Sequence, residues 1–387
     1  MMPNIKIFIV IELLGSTKIG IQIYMILLQN RLIENLKRIG FICTLWVICM
    51  FFYHLLIFFA INEVDPAKID FTQYIFSGLL IGLLFGITNG ILEVLIFKQR
   101  FRRINFGYTV ILKTILFVAS FITTVILFIL IKNYLLASLG IFERPRENEI
   151  TGFFSSSVFY KHGIYAVLFS FGINFFLQVD KKMGKNVLLN LFFGRFHRPR
   201  KQERIIMFVD LTSSTAIAEK IGDHKYSAFL KDFFYDLDEI INKTKGAVYQ
   251  YVGDEAVVVW DVNDGTENNN CIRCYSEAQK IICEKKDKYI EKYGVYPEFK
   301  AGIHLGEVIV TEVGGLKSEI AYHGDTMNTA SRLCSAAKKY KNGLLISAEL
   351  LSYLKNIDES YTVESIGLVK FRGKEHDIAA FAVKGRD

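Results

Sequence analysis

The C-terminal half of the chain is organised around residues 205–215, which read Ile-Ile-Met-Phe-Val-Asp-Leu-Thr-Ser-Ser-Thr. The five apolar residues 205–209 predict a strand that is buried on both faces. Asp210 ends that strand, where a carboxylate is costly unless something pairs with it. Hydroxyl residues and a predicted helix over 216–221 follow. Strand, acid, small-residue turn and helix N-terminus together indicate a site for a metal ion and a polyphosphate.

A second acid lies at the tip of a predicted hairpin, in which residues 247–251 and 256–260 pair around Gly253-Asp254. We predict that Asp210 and Asp254 together bind two divalent cations. The plainer interpretation makes Asp210 a helix N-cap and Asp254 a turn residue, which are common roles for isolated aspartates. These two stretches alone do not decide between the interpretations, and a third motif further along the chain is needed.

Composition divides the chain into two parts. Half of the 387 residues are hydrophobic (51%), and the formal net charge is +7. The apolar excess lies in the first half, whereas most acids lie in the second. Lysine and arginine crowd around residues 98–103 and 181–201, beside apolar segments. This placement favours the anionic inner face of a membrane over a nucleic-acid groove, so we expect lipid and no nucleic acid as a partner.

Four apolar runs are long enough to cross a bilayer, which takes about 20 residues: 39–62, 74–97, 109–131 and 158–179. Basic residues precede the first run and follow the second and fourth, so the positive-inside rule places both termini and the C-terminal half in the cytosol, at the inner (plasma) membrane. The alternative is that these runs are buried helices of a soluble protein. Glu93 near a helix end is expected to be interfacial or functional, and Lys113 is expected to snorkel.

The predicted domains are an N-terminal cytoplasmic segment (1–38), a membrane domain (39–180), a basic linker (181–204) and a C-terminal domain (205–387). Residues 1–30 are either an interfacial segment or an extension upstream of a start at Met25. In the C-terminal domain we predict long helices over 225–243 and 270–293. Hairpins are predicted over 299–304 and 307–312 around Gly306, and over 363–371 and 378–383. The expected fold is α+β, with a mostly antiparallel sheet and helices on one face.

A third motif spans residues 320–333, Ile-Ala-Tyr-His-Gly-Asp-Thr-Met-Asn-Thr-Ala-Ser-Arg-Leu. Asn328 and Arg332 are four apart and therefore share one face of a helix. An amide beside a guanidinium suits a sugar and a phosphate, although a capped surface helix with an exposed arginine is the commoner case. The order of the three motifs favours a nucleotide site.

This set of motifs resembles the class III adenylate and guanylate cyclases over about residues 205–384. The resemblance implies a ferredoxin-like fold that is active as a head-to-tail homodimer, with Mg²⁺ or Mn²⁺ as two divalent cofactors. By matching positions, Asp210 and Asp254 are the metal ligands, and Leu211 adjoins them at the same metal site. Asn328 orients the ribose, Arg332 stabilises the reacting phosphorus from the other protomer, and both count as catalytic. The substrate-binding positions are Thr212, Ser213, Ser214, Thr215, Gly253 and Lys374.

Two departures from the family pattern concern the base-reading positions, which are Gln250 and Ala321 here. Adenylate cyclases of the family typically have a lysine and an aspartate or threonine there, and the glutamate and cysteine typical of guanylate cyclases are equally absent. Gln250 offers a donor and an acceptor, which suits adenine, whereas Ala321 offers no side-chain hydrogen bond. We expect ATP as the better substrate with modest discrimination against GTP. Ser213 also replaces the glycine common in the first motif.

The resemblance therefore predicts a membrane-anchored cyclase that makes cyclic AMP and pyrophosphate for intracellular signalling. Guanylate cyclase activity remains open. A diguanylate cyclase is suggested only by the Gly253-Asp254-Glu255 turn, and it leaves Asn328 and Arg332 unexplained. A non-catalytic nucleotide-binding module would account for the altered base-reading positions but not for the intact acids.

Overall fold

The structure is a computed structural model that describes residues 18–62, 70–97, 105–131, 138, 157–183, 187–192, 194–340, 343–369 and 377–386. The chain divides into two compact units, Met1–Val179 and Asp180–Asp387. Several predictions lie outside the described residues: Lys374, residues 1–17 of the N-terminal segment, and the basic residues of 98–103.

The described residues of the first unit form long apolar helices: α1 (Lys18–Asn62), α2 (Phe71–Leu92, continued by a π-helical turn, Glu93–Phe97), α3 (Phe106–Leu130) and α4 (Ser157–Met183, which continues past the end of the unit). Within the described residues, four segments have the length and composition to cross a membrane: Asn35–Ala60, Phe71–Ile96, Phe106–Leu130 and Phe159–Met183. The predicted helical runs are thus confirmed to within a few residues.

A stripe of glycines on α2 brings it close to α1. Gly78, Gly82, Gly86 and Gly90 recur every four residues and so share one face. A Cβ added to Gly86 would lie 2.6 Å from the Cα of Cys43. Small residues at this spacing let helix backbones approach closely, which is the main source of packing energy between apolar helices.

Glu93 and Lys113 form a buried ion pair between α2 and α3. Glu93 is 1% exposed and Lys113 is 4% exposed. The ammonium donates to the two carboxylate oxygens at 2.9 and 2.7 Å, and Arg38 of α1 donates to the same carboxylate at 2.6 Å. The expectation of a snorkelling Lys113 is therefore wrong, because its ammonium finds a partner inside the helix bundle, whereas the interfacial position of Glu93 near the end of α2 stays a prediction.

The described residues of the second unit contain eight strands: β1 (Arg200–Leu211), β2 (Ala247–Val252), β3 (Glu255–Asp261), β4 (Phe299–Val313), β5 (Glu319–His323), β6 (Leu344–Ser347), β7 (Tyr361–Val369) and β8 (Ile378–Gly385). Its helices are α5 (Val187–Phe192), α6 (Ser214–Ile221), α7 (Asp223–Lys243), α8 (Val262–Thr266), α9 (Asn270–Glu284), α10 (Lys286–Tyr293), α11 (Asp325–Ala337), α12 (Ala348–Tyr353) and α13 (Ile357–Ser360). The single helix predicted over 270–293 is two helices that meet at Lys285.

The sheet runs in the order β2-β3-β1-β4-β6-β8-β7, and β5 pairs with β4. Strand pairs are antiparallel except β4–β6, which is parallel. The prediction of a mostly antiparallel α+β sheet is confirmed. The hairpin predicted around Gly306 is wrong, since β4 runs through it without a turn. A Cβ at Gly306 would lie 2.7 Å from Thr326 Oγ1, so this glycine makes room for the start of α11 instead.

Helices cover both faces of the sheet, which corrects the expectation of one covered face. On one face, Ile205, Met207 and Val209 pack in a core with residues of α7, α9 and α10. On the other face, Ile206 and Phe208 pack against Ala330 and Cys334 of α11. The central strand β1 is buried on both sides as predicted, and that pattern itself requires a second layer of helix.

Candidate active site

The predicted acids meet at the C-terminal end of β1. Asp210 pairs in register with Glu255 of β3 on one side and with Lys300 of β4 on the other. Asp254 precedes Glu255 in the tight β2–β3 turn, where Gly253 has a φ of 62°. The hairpin therefore brings Asp254 alongside Asp210, as the sequence predicts.

The charges of this cluster are unbalanced. Lys300, 8% exposed, donates a hydrogen bond to the Asp210 carboxylate. Burial raises the pKa of Asp210; Lys300 opposes that rise, and Asp254 adds to it. Burial, together with the neighbouring Asp210 and Asp254, raises the pKa of Glu255 to about 7. Three carboxylates thus share one buried ammonium, so the cluster favours additional positive charge.

The residues of this cluster fit hard divalent cations. The described residues contain no group of three or more His, Cys, Asp or Glu side chains arranged to hold a metal ion. Mg²⁺ commonly takes one or two carboxylates and completes its shell with water and substrate phosphates. Asp210 and Asp254 supply such a donor pair. Leu211 is 2% exposed, and its side chain packs in the core, so only its backbone carbonyl can be a ligand.

The turn after β1 leads directly into α6, which begins at Ser214. Ser213 has a φ of 58°, in the left-handed region that glycine adopts without strain. A serine at this position is therefore conformationally strained relative to the glycine that it replaces. The Thr212 amide donates to the Glu298 carbonyl at 2.8 Å, which anchors the turn to the residue before β4. Burial, together with the nearby Asp254 and Asp210, raises the pKa of Tyr226, which lies close to Ser214.

Asn328 and Arg332 lie on one side of α11, as predicted. The buried residues of this helix are Thr326, Thr329, Ala330, Leu333, Cys334 and Ala337, and they form the stripe that faces the sheet. At 100° per residue, Asn328 and Arg332 point away from that stripe, and Asn328 is exposed. The helix therefore presents the Asn328 amide away from the sheet to which Asp210 belongs, whereas Arg332 is half-buried and its Nη1 is shielded from solvent.

A cavity of 720 Å³ opens beside the N-terminal half of β1, where Arg200, Gln202 and Arg204 line it, whereas Asp210 lies near the other end of that strand. Gln250 and Tyr249 of β2 line it, as do Ile320 and Tyr322 of β5. Ala321 lies between the last two, and strand alternation directs its side chain to the opposite face. The structure therefore brings only one of the two predicted base-reading side chains to the cavity.

Sequence reasoning did not single out Lys300, Glu255 or Tyr226. A signal for Lys300 exists, because a lysine between Phe299 and Ala301 in an apolar strand requires a buried partner. Glu255 and Tyr226 stand in ordinary hairpin and helix patterns. Glu255 lies beside Asp210 through strand pairing, and Tyr226 comes near the acids through the packing of α7 against the sheet.

Residues 196–385 match the family model described as the adenylate and guanylate cyclase catalytic domain. Adenylate cyclase 2 of Rhizobium meliloti (strain 1021) is 31% identical over 220 residues, which are 57% of this chain and 60% of that protein. A receptor-type guanylate cyclase of Caenorhabditis elegans is 26% identical over 198 residues, which are 50% of this chain and 19% of that protein. This chain therefore spans less than two thirds of each relative.

Two solved structures are also similar. A bacterial light-regulated adenylyl cyclase has a TM-score of 0.47 and 20% identity, over 59% of this chain and 66% of that one. The adenylyl cyclase CyaB from P. aeruginosa has a TM-score of 0.42 and 20% identity, over 49% of this chain and 97% of that one.

Proposed function

We propose, from the match of residues 196–385 to the adenylate and guanylate cyclase catalytic domain, that this chain converts ATP to cyclic AMP and pyrophosphate. The observation that carries the proposal is the acid-rich cluster at the end of β1, where Asp210, Asp254 and Glu255 share one buried ammonium, that of Lys300. Such a cluster is suited to binding cations together with a triphosphate.

In the proposed reaction the ribose 3′-oxygen attacks the α-phosphorus, the bond from that phosphorus to the β-phosphate oxygen breaks, and pyrophosphate leaves. Asp210, Asp254 and the Leu211 carbonyl would hold two divalent cations, Mg²⁺ or Mn²⁺, which supply charge to activate the attacking oxygen and bind the triphosphate. Residues 212–215, Gly253 and Lys374 would contact phosphates. Lys300 adds a buried positive charge beside the same oxygens.

The site is completed by a second copy of the chain. Asn328 and Arg332 lie outside the stripe of α11 that faces the sheet holding the acids, so they suit the site of a partner protomer. There Asn328 would orient the ribose, and Arg332 would neutralise charge on the phosphorus in the transition state. A homodimer of this kind contains two equivalent sites.

The four apolar helices are proposed to anchor the enzyme in the inner (plasma) membrane. Basic residues before the first helix and after the second and fourth favour a cytoplasmic position for both termini and the catalytic domain. Lipid would surround the exposed apolar side chains of α1–α4, several of which exceed half exposure, such as Leu56 at 67% and Ile164 at 62%.

A guanylate cyclase is the second candidate function. The observation that favours it is Ala321, which removes one side-chain reader of adenine and faces away from the cavity. A binding site rejects the wrong base because that base leaves polar groups of the site unpaired. A site with fewer such groups therefore discriminates less between bases.

Product analysis tests these alternatives. The full chain in detergent or nanodiscs is incubated with ATP or GTP and with Mg²⁺ or Mn²⁺, and nucleotide products are separated by chromatography. Cyclic AMP formed faster than cyclic GTP supports the proposal, and cyclic GTP in excess supports the second candidate. Nucleotide binding without any cyclic product would indicate a non-catalytic module.

Mixing two inactive variants tests the shared site. Asp210→Ala and Arg332→Ala chains should each be inactive, and co-expression should restore about a quarter to a half of the activity, since a mixed dimer keeps one intact site. The absence of recovery at every ratio would contradict a site built from two protomers.

A further inference from the structure

Two histidines meet near one end of the helix bundle. His54 lies near the end of α1, and His162 lies near the start of α4. Their ring centroids are 5.7 Å apart, with an interplanar angle of 65°. His54 is 2% exposed, and His162 is half-buried. Ionisable side chains are rare inside apolar helix bundles, and where they occur they usually mark a functional site.

A backbone carbonyl selects the tautomer of His54. Its Nδ1 lies 2.9 Å from the carbonyl oxygen of Met50, one turn earlier on α1. Because a carbonyl oxygen only accepts, Nδ1 carries the proton, and the lone pair of the neutral ring is on Nε2. Histidines that bind metals commonly donate their other ring N–H to a backbone carbonyl in this way. The His54 imidazole is therefore held in the form in which Nε2 can coordinate a metal ion.

Gly78 of α2 makes room for the same imidazole. A Cβ added to Gly78 would lie 2.4 Å from Cγ of His54 and 2.6 Å from its Nδ1, so the ring itself would have to move. Tyr74, one turn earlier on α2, also contacts this ring, with centroids 5.1 Å apart. The absence of a side chain at position 78 and the contact with Tyr74 together fix where the ring lies.

Tyr53 packs against both histidines. Its ring meets those of His54 and His162 edge to face, with centroid distances of 5.2 and 5.0 Å. Tyr53 is 3% exposed, so this packing is part of the bundle core. Aromatic packing by itself also holds rings together. A test of metal binding therefore has to keep the rings and remove only their nitrogens.

We propose that His54 and His162 bind one Zn²⁺ ion between their imidazoles. Two rings whose nitrogens lie about 2.0–2.1 Å from a shared ion have centroids roughly 5–6 Å apart, a range that includes the observed 5.7 Å. The described residues contain no group of three or more His, Cys, Asp or Glu side chains that could hold a metal. The remaining positions on the ion are therefore left to water or tyrosine hydroxyls. Imidazole favours Zn²⁺ over Mg²⁺, which distinguishes this site from the oxygen ligands of the catalytic acids.

The first test removes the nitrogens and keeps the rings. Zn²⁺ is titrated by calorimetry into the full chain in nanodiscs, with excess Mg²⁺ present to occupy the catalytic acids. His54→Phe and His162→Phe should each lose one bound Zn²⁺ per chain relative to the wild type. His224→Phe, at an exposed histidine of α7, is the matched control and should keep it. Zn²⁺ binding by both bundle variants as tight as that of the control would overturn the proposal.

A second test moves one ring without removing a ligand. Gly78→Ala should weaken Zn²⁺ binding about 10- to 100-fold, as the loss of a group that orients a ligand does. Gly82→Ala is the matched control, because its Cβ would lie 3.0 Å from Cα of Val47 and so disturbs the α1–α2 contact away from His54. Equal weakening by both substitutions would contradict a role for Gly78 in placing the ligand.

A third measurement uses the wild-type chain and so does not depend on the folding of a variant. X-ray absorption of the bound Zn²⁺ should show scattering from two imidazole rings. A shell of oxygen atoms alone would overturn the proposal.

Discussion

Each unit buries a carboxylate against a lysine, but the two pairs differ in charge balance. In the helical unit Glu93 accepts from both Lys113 and Arg38, so two cations surround one acid. In the sheet unit Asp210 accepts from Lys300 while Asp254 and Glu255 stand beside it, so one cation faces three acids.

The difference separates a structural ion pair from a site that is suited to ligands. The carboxylate of Glu93 already has its partners, and in an apolar surrounding any loss of them leaves a charge unpaired. Around Asp210, by contrast, the excess of acids is relieved by binding further cations. Burial of an acid and a lysine together is therefore weak evidence of function, and the count of charges around the pair is more informative.

The largest expected effect is on catalysis. Asp254→Ala should lower cyclase activity about a thousandfold, or roughly 4 kcal/mol of activation free energy, because it removes one of two carboxylates that bind cations. Cyclic nucleotide formation is measured at saturating Mn²⁺. Asp287→Ala, an exposed acid on α10, is the control and should keep full activity. Activity of Asp254→Ala near that of the control would contradict the metal assignment.

The helical pair should have the next largest effect, on stability alone. Glu93→Ala should lower the free energy of unfolding by about 3 kcal/mol, since it leaves the Lys113 ammonium buried without its carboxylate. Thermal unfolding in detergent is followed by Trp46 fluorescence in a Trp260→Phe background. Combining Glu93→Ala with Lys113→Met should restore most of the lost stability. If the double variant is as unstable as the single one, the pair is not what holds these helices together.

Lys300→Met should have a smaller effect that depends on divalent cations. The Asp210 side chain is 27% exposed. Losing its ammonium partner should therefore lower the free energy of unfolding by about 2 kcal/mol when EDTA is present. Added Mn²⁺ should reduce that cost, because it supplies charge to the same acids. Trp260 fluorescence in a Trp46→Phe background reports the unfolding of this unit. An equal loss of unfolding free energy with and without Mn²⁺ would indicate that the cations bind elsewhere.

An exposed ion pair should have the smallest effect on stability of the pairs compared. Lys243 and Glu277 are 2.7 Å apart, with side chains 47% and 26% exposed. Lys243→Ala should change the free energy of unfolding by about 0.5 kcal/mol or less, because solvent screens the pair. Urea denaturation measures it, and a loss above about 1 kcal/mol would show that geometry alone, without burial, stabilises such pairs here.

The sequence by itself determined the parts whose signal is local. Apolar runs of more than 20 residues mark the helices of the first unit, since hydrocarbon requires uninterrupted apolar surface. Asp210 and Asp254 are recognisable because each follows or interrupts a short apolar strand, and Asn328 and Arg332 because their spacing of four matches a helix turn. Each of these patterns is complete within a few residues.

Only the tertiary structure decided which distant residues meet. Lys300 is 90 positions from Asp210, and strand register alone sets them side by side. Glu93 gains its partners only when three helices pack, and Gly306 continues a strand because α11 lies against it rather than because of its own sequence. A glycine or a charged residue is compatible with several local structures, and the neighbours that choose among them come from remote parts of the chain.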